Sequence, residues 1–120
     1  MACWLRKTME QLQEKIRYHQ LYDIYGALLT DKQRSYFSYY YFDDYSLSEI
    51  AKIMNVSRNA VFEQIKTVVG ILDYYEDKLN VMKRRERRQH YFKQARSVMT
   101  KKQLAEMIDE LEKIEGYNGI

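Results

Sequence analysis

Proline is absent from the 120 residues, and glycine occurs four times, at Gly26, Gly70, Gly116 and Gly119. Both residues break helices, so their scarcity in a chain rich in Glu, Lys, Leu, Gln, Met and Arg points to an all-α protein. Cysteine is nearly missing too. Cys3 stands alone, which excludes an intramolecular disulfide, and no segment has the basic, apolar and small-residue order of a secretory leader. No apolar run reaches the ~18 residues that a membrane helix needs. The expected location is a reducing cytoplasm. The excess of one charge is modest: 20 Lys and Arg against 17 Asp and Glu leave a formal net charge of +3, too little by itself to name nucleic acid as the partner.

The parts of an enzyme are lacking as well. His19 and His90 are isolated, Cys3 has no spaced partner, and Asp43-Asp44 lacks the ligand series of a calcium loop. There is no glycine-rich phosphate loop and no nucleophile elbow. No catalytic activity, metal or cofactor is expected.

Aromatic side chains, by contrast, are concentrated. In SYFSYYYF, residues 35–42, six of the eight are aromatic and four of those six are tyrosine. Such a run can stack bases, meet another protein, or fill a small fold. Stacking on single strands needs a positive groove around the rings, yet this run lies between Arg34 and Asp43-Asp44. It reads mainly as scaffold, with Phe37, Tyr40 and Tyr41 in the core and Tyr36 and Tyr39 at the rim. Exposed hydroxyls are left to touch phosphate or a second subunit.

Helix signals surround the run. Leu12, Ile16, Leu21, Ile24, Tyr25 and Leu28 recur at mostly three- and four-residue steps, an amphipathic stripe. Thr30-Asp-Lys-Gln33 is a capping box that starts a second helix near Asp31. Ser46-Leu-Ser-Glu49 repeats the box, with Tyr45 and Ile50 at hydrophobic-staple spacing, and predicts a short helix over 46–54. Asn55 tolerates the left-handed conformation at a helix end, and Ser57 caps the next helix, with Val56 and Val61 again at staple spacing. Two helices joined by so tight a turn cross steeply, as in a helix-turn-helix. Ile50, Ala51, Met54, Val56, Val61 and Ile65 fall on the facing sides, leaving Arg58, Asn59, Phe62, Glu63 and Lys66 outward. Val69, Leu72, Tyr75 and Leu79 carry the last helix on through Gly70, where glycine is expected to allow close packing.

LLTDKQRSYFSYYYFDDYSLSEIAKIMNVSRNAVFEQIK resembles the DNA-binding fourth region of bacterial sigma factors, in its L-T-x-x-Q-R opening, S-x-x-E-I-A helix and V-S-x-x-A-V recognition helix. LYDIYGALLTDKQRSY, YYFDDYSLSEIA, VSRNAVFEQIK and LDYYEDKL are similar, more closely, to motifs of the YlxM family of small bacterial proteins, over about Met9 to Leu79. The resemblance implies a sigma-region-4-like helix-turn-helix with added helices at both ends, and a small cytoplasmic protein that binds DNA or regulates the signal recognition particle pathway. Thr67-Val68-Val69 departs from the charged Arg-Thr-Glu common in those relatives. Met1–Thr8 lies outside the match and reads as a tail, either an upstream start or an added segment. The expected organisation is therefore an N-terminal helix over 9–30, a helix-turn-helix domain over 31–79 and a charged helical extension over 80–120.

In a helix-turn-helix the start of the second helix reaches base edges while its amide end lies near a phosphate. Ser57, Arg58, Asn59, Phe62, Glu63 and Lys66 occupy those places. Arg58 suits guanine, Asn59 adenine, Glu63 cytosine and Lys66 a phosphate, with Arg34 as a further phosphate candidate on double-stranded DNA. The other reading is a fold retained for protein contact, as an accessory to signal recognition particle components.

The extension divides by charge. KRRERRQHYFK, residues 83–93, carries Lys83, Arg84, Arg85, Arg87, Arg88 and Lys93 against Glu86, and residues 103–115 carry five acids against Lys113. The basic segment is either a phosphate-backbone contact or a solvated helix paired with Glu106, Asp109, Glu110 and Glu112. Thr100-Lys-Lys-Gln103 is a further capping box. The stripe Leu104, Met107, Ile108, Leu111 and Ile114 covers the protein's own core or forms a homodimer seam.

Overall fold

The structure is a computed structural model that describes the backbone of residues 2–118 and the side chains of residues 9–113. Six helices follow one another: α1 (Ala2–Tyr25), α2 (Asp31–Phe37), α3 (Leu47–Met54), α4 (Arg58–Leu79), α5 (Val81–Val98) and α6 (Lys101–Asn118). No strand occurs among the described residues. The chain forms two compact units, Met1–Met82 and Lys83–Ile120. The tail reading of residues 1–8 falls on side chains outside the described ones; the backbone of residues 2–8 belongs to α1.

Local chemistry starts the helices where the sequence predicts. Thr30 Oγ1 accepts the Gln33 amide at 3.2 Å while the Gln33 side chain accepts the Thr30 amide at 2.9 Å. Ser46 and Glu49 repeat the reciprocal pair, and the Ser57 hydroxyl accepts from the Ala60 amide at 3.0 Å. Asn55 ends α3 in the left-handed region, at φ 55°.

In the first unit, α4 packs against α1, α2 and α3. Its inner face, Val61, Ile65, Val68 and Leu72, meets Leu21, Tyr25, Leu29, Tyr36, Phe37 and Ile50 in one core. Rings supply much of the filling. Phe37 stacks on Tyr22 and on Tyr41, each at 4.5 Å between centroids, a geometry that adds to simple burial. Polar pins join α1 to α4: Tyr18 donates to Asp73 at 2.9 Å, and Arg17 pairs with the same carboxylate at 3.1 Å.

Four expectations are corrected. Tyr36 is fully buried and Tyr40 is 37% exposed, the reverse of their predicted places. Tyr36 is buried within α2, and a π-helical turn follows over Ser38–Phe42, in which the Asp43 amide bonds the Ser38 carbonyl five residues back, at 3.0 Å. Within this turn Tyr41 is buried beside Phe37 and Tyr40 lies outside. Leu12, Ile16 and Leu28 are 58, 50 and 56% exposed. The contacts of α1 with α4 begin at Arg17 and Tyr18, after Leu12 and Ile16, and Leu28 sits in a 3-10 turn (Gly26–Leu28) that turns Leu29 inward instead. Val56 stands outside at the left-handed turn, 37% exposed. A Cβ at Gly70 meets nothing within 4 Å, so this glycine mediates no close packing; it lies exposed on α4.

Among the described residues of the first unit, Glu76 is the buried charge, 6% exposed. Its carboxylate accepts from the Tyr25 hydroxyl at 2.7 Å and from the Met82 amide at 3.0 Å, and the Val81 amide donates to the Tyr25 hydroxyl at 3.3 Å. The first amides of α5 thus belong to the first unit.

In the second unit, α6 begins at the Thr100–Gln103 capping box, both bonds at 3.3 Å. Phe92 and Arg96 of α5 face Leu104, Ile108 and Leu111 of α6 across a cavity of about 210 Å³. Ile114, the last residue of the predicted stripe, lies outside the described side chains.

Candidate nucleic-acid interface

The outward face of α4 is placed by its opposite face. Val61 and Ile65 are fixed in the core, and with 3.6 residues per turn this turns Asn59, Glu63 and Lys66 toward solvent and Phe62 to the flank, while Arg58 is exposed as the first residue of α4. All five are exposed. The Ser57 hydroxyl satisfies the Ala60 amide, so the other first-turn amides of α4 remain open to an acceptor. Arg58 and Lys66 make no ion pair among the described residues, and neither does Glu63. The face therefore offers two uncommitted cations, one carboxylate, one amide side chain and a ring, the mixture that base edges and phosphates accept.

Phe62 is 49% exposed and edges a groove of about 390 Å³ that it shares with Tyr40, Tyr41, Leu47, Ile65, Lys66 and Val69. Arg34 lies apart from this set in its bonding. Its guanidinium donates to the Leu29 carbonyl at 2.8 Å and the Gly26 carbonyl at 3.4 Å and pairs with Asp31. It closes the 3-10 turn onto α2 and is a structural clasp before it is a phosphate ligand.

In the second unit, Lys83, Arg84, Arg85, Arg87, Arg88 and Lys93 are all exposed on α5. Glu110 pairs with Lys113 of its own helix at 3.5 Å, while Glu106, Asp109 and Glu112 make no ion pair among the described residues. The facing sides of α5 and α6 are lined largely by apolar side chains, which leaves Arg85, Arg87 and Lys93 without an ion pair among the described residues.

Glu76 and the cleft under Tyr40 were not singled out from the sequence. For Glu76 a signal existed: it continues the inward series Val61, Ile65, Val68, Leu72 by one further four-residue step, an acid where an apolar residue is due. His19 is a packing residue, its Nε2 donating to the Tyr41 carbonyl at 2.9 Å. No group of three His, Cys, Asp or Glu among the described residues is placed to hold a metal, and no helix there is long and apolar enough to cross a membrane.

Comparison with known proteins agrees with this architecture. A UPF0122 protein of Geobacillus sp. strain WCH70 is 45% identical over 109 residues, covering 87% of this chain and 99% of the relative. A UPF0122 protein of Bacillus licheniformis is 43% identical over 105 residues, covering 87% and 98%, and one of Listeria monocytogenes is 40% identical over 104, covering 82% and 94%. The profile of the family described as "Putative helix-turn-helix protein, YlxM / p13 like" matches residues 12–113. With that match over most of its length and a helix-turn-helix in its first unit, the chain belongs to the UPF0122 family, YlxM / p13 like.

Proposed function

We propose that this protein is a non-enzymatic, cytoplasmic regulator that binds double-stranded DNA through the first turns of α4. The observation that carries the reading is the exposed face Arg58–Lys66, with two cations free of ion pairs on a helix whose other side is locked in the core. Arg58 and Asn59 would read base edges, Phe62 would meet an apolar group such as a thymine methyl, and Lys66 would take a phosphate. The unpaired cations of α5 add a sequence-independent phosphate contact that strengthens binding at low salt. Two copies paired through Leu104, Met107 and Leu111 would present two α4 helices to one duplex.

The test is retention of a genomic DNA fragment pool across a salt series. Arg58→Ala is expected to cost about 1–3 kcal/mol and relax base preference at one position, and Lys66→Ala to lower the salt slope by about one. No retention at low salt, or retention unchanged in the double variant, would sink the reading. Light scattering reports whether the chain is a dimer.

The apolar groove beside Phe62 favours a second reading, an accessory that docks signal recognition particle components on the same face. Half-exposed rings over an apolar groove are a common feature of protein contacts. Saturable binding to those purified components, lost in Phe62→Ala and indifferent to DNA, would favour it.

A further inference from the structure

The largest cavity described lies between α1 and the end of the aromatic run and shares Tyr40 and Tyr41 with the groove beside Phe62. It holds about 460 Å³ and is lined chiefly by Glu14, Lys15, Tyr40, Tyr41, Asp44 and Tyr45, a volume in the range of small-ligand sites. Its walls are aromatic on two sides. The Tyr40 and Tyr41 rings meet at 83° with centroids 5.0 Å apart, making a corner. Tyr45 also lines the cleft and stacks on Tyr39 at 5.7 Å and 15°.

The charge lining the cleft is negative. Lys15 and Asp44 pair with each other and cancel, whereas Glu14 makes no ion pair among the described residues. The faces of tyrosine rings carry the negative part of their quadrupole and attract cations within ~6 Å. The Tyr41 hydroxyl is subject to the same field. Burial first, then the neighbouring Tyr18, Tyr40, Glu14 and Asp73, push its proton loss far above the ordinary phenol value.

We propose that this cleft is a binding site for an organic cation, a guanidinium or alkylammonium group, seated in the Tyr40–Tyr41 corner against Tyr45 and paired with the Glu14 carboxylate. The group can arrive on a small free amine or on an arginine side chain within a peptide. The proposal does not depend on DNA binding, and it is tested without DNA.

The experiment is a titration of the full chain followed by the aromatic NMR signals of its tyrosines, with three probes: agmatine, N-acetyl-arginine amide and inorganic phosphate. The two cations are expected to shift Tyr40, Tyr41 and Tyr45 saturably, and phosphate is not; the tighter of the two cations identifies the source. Tyr40→Ala should weaken binding roughly five- to thirty-fold. Glu14→Gln should weaken it about threefold and flatten its salt dependence. Both side chains are exposed, so circular dichroism should show both variants folded. The proposal is overturned if the three rings show no saturable shift, if both variants bind as tightly as the parent, or if phosphate shifts the same rings as strongly.

Discussion

The two units begin their helices with the same chemistry and differ in what those helices bury. Thr30–Gln33 in the first and Thr100–Gln103 in the second are equivalent capping boxes. Yet the first unit encloses Leu21, Phe37, Ile50, Val61, Val68 and Leu72 completely, while no residue from Lys83 to Lys113 is fully buried. Caps decide where a helix starts; a closed core requires a third and fourth helix to cover the stripe. The first unit has α4 inside a ring of neighbours, and the second has two helices whose apolar sides remain partly open. A rigid unit suits a face that must present five side chains in fixed register. A partly open pair suits an element completed by a second copy or by a charged polymer.

The comparison can be broken most severely at its centre. Phe37→Ala should lower stability by about 3–5 kcal/mol, because it removes a fully enclosed ring that stacks on two others. Phe92→Ala should cost less than about half of that, since its site is open. Urea unfolding followed by circular dichroism measures both, and equal losses would mean that the second unit is enclosed in solution. Glu76→Ala should cost about 2–3 kcal/mol, stranding the Tyr25 hydroxyl and the Met82 amide.

Alkali should act on the first unit. Tyr18 is pushed up to about 12 by burial and by its bond to Asp73. Because the folded state favours the protonated phenol, that stabilisation is complete below pH 10 and fades as pH rises through about 12. Tyr18→Phe should remove its share of the alkaline loss of stability, read from phenolate absorbance alongside circular dichroism. The smallest effect has the opposite sign. Gly70→Ala should raise stability by about 0.5–1 kcal/mol, because the new methyl enters open space on an exposed turn of α4.

What could be read from the sequence was whatever chemistry is local. Three capping boxes, the Ser57 cap and the left-handed Asn55 depend on residues a few positions apart, and each is found in place. Asn59, Glu63 and Lys66 were legible as outward for the same reason, since the helical period fixes them once Val61 and Ile65 are known to face inward, and Arg58 was legible from its place right after the Ser57 cap. The interior of the aromatic run was not. Tyr36 is buried by tertiary packing against α4 and α1 and Tyr40 lies in a π-helical turn, neither of which a three- or four-residue rule anticipates. The cleft depends on side chains as far apart as Lys15 and Asp44, 29 positions along the chain. Glu76 was not singled out because its partners, Tyr25 and Met82, come from distant or later segments.

The bonds around Glu76 also alter a clock. The first amides of a helix have no carbonyl within the helix to hold them, and they ordinarily trade their hydrogens with solvent quickly. Val81 and Met82 open α5, yet their amides are held by the Tyr25 hydroxyl and the Glu76 carboxylate. Deuterium should therefore enter at these two positions at the slow pace of the surrounding core, marking the point along α5 where protection ends.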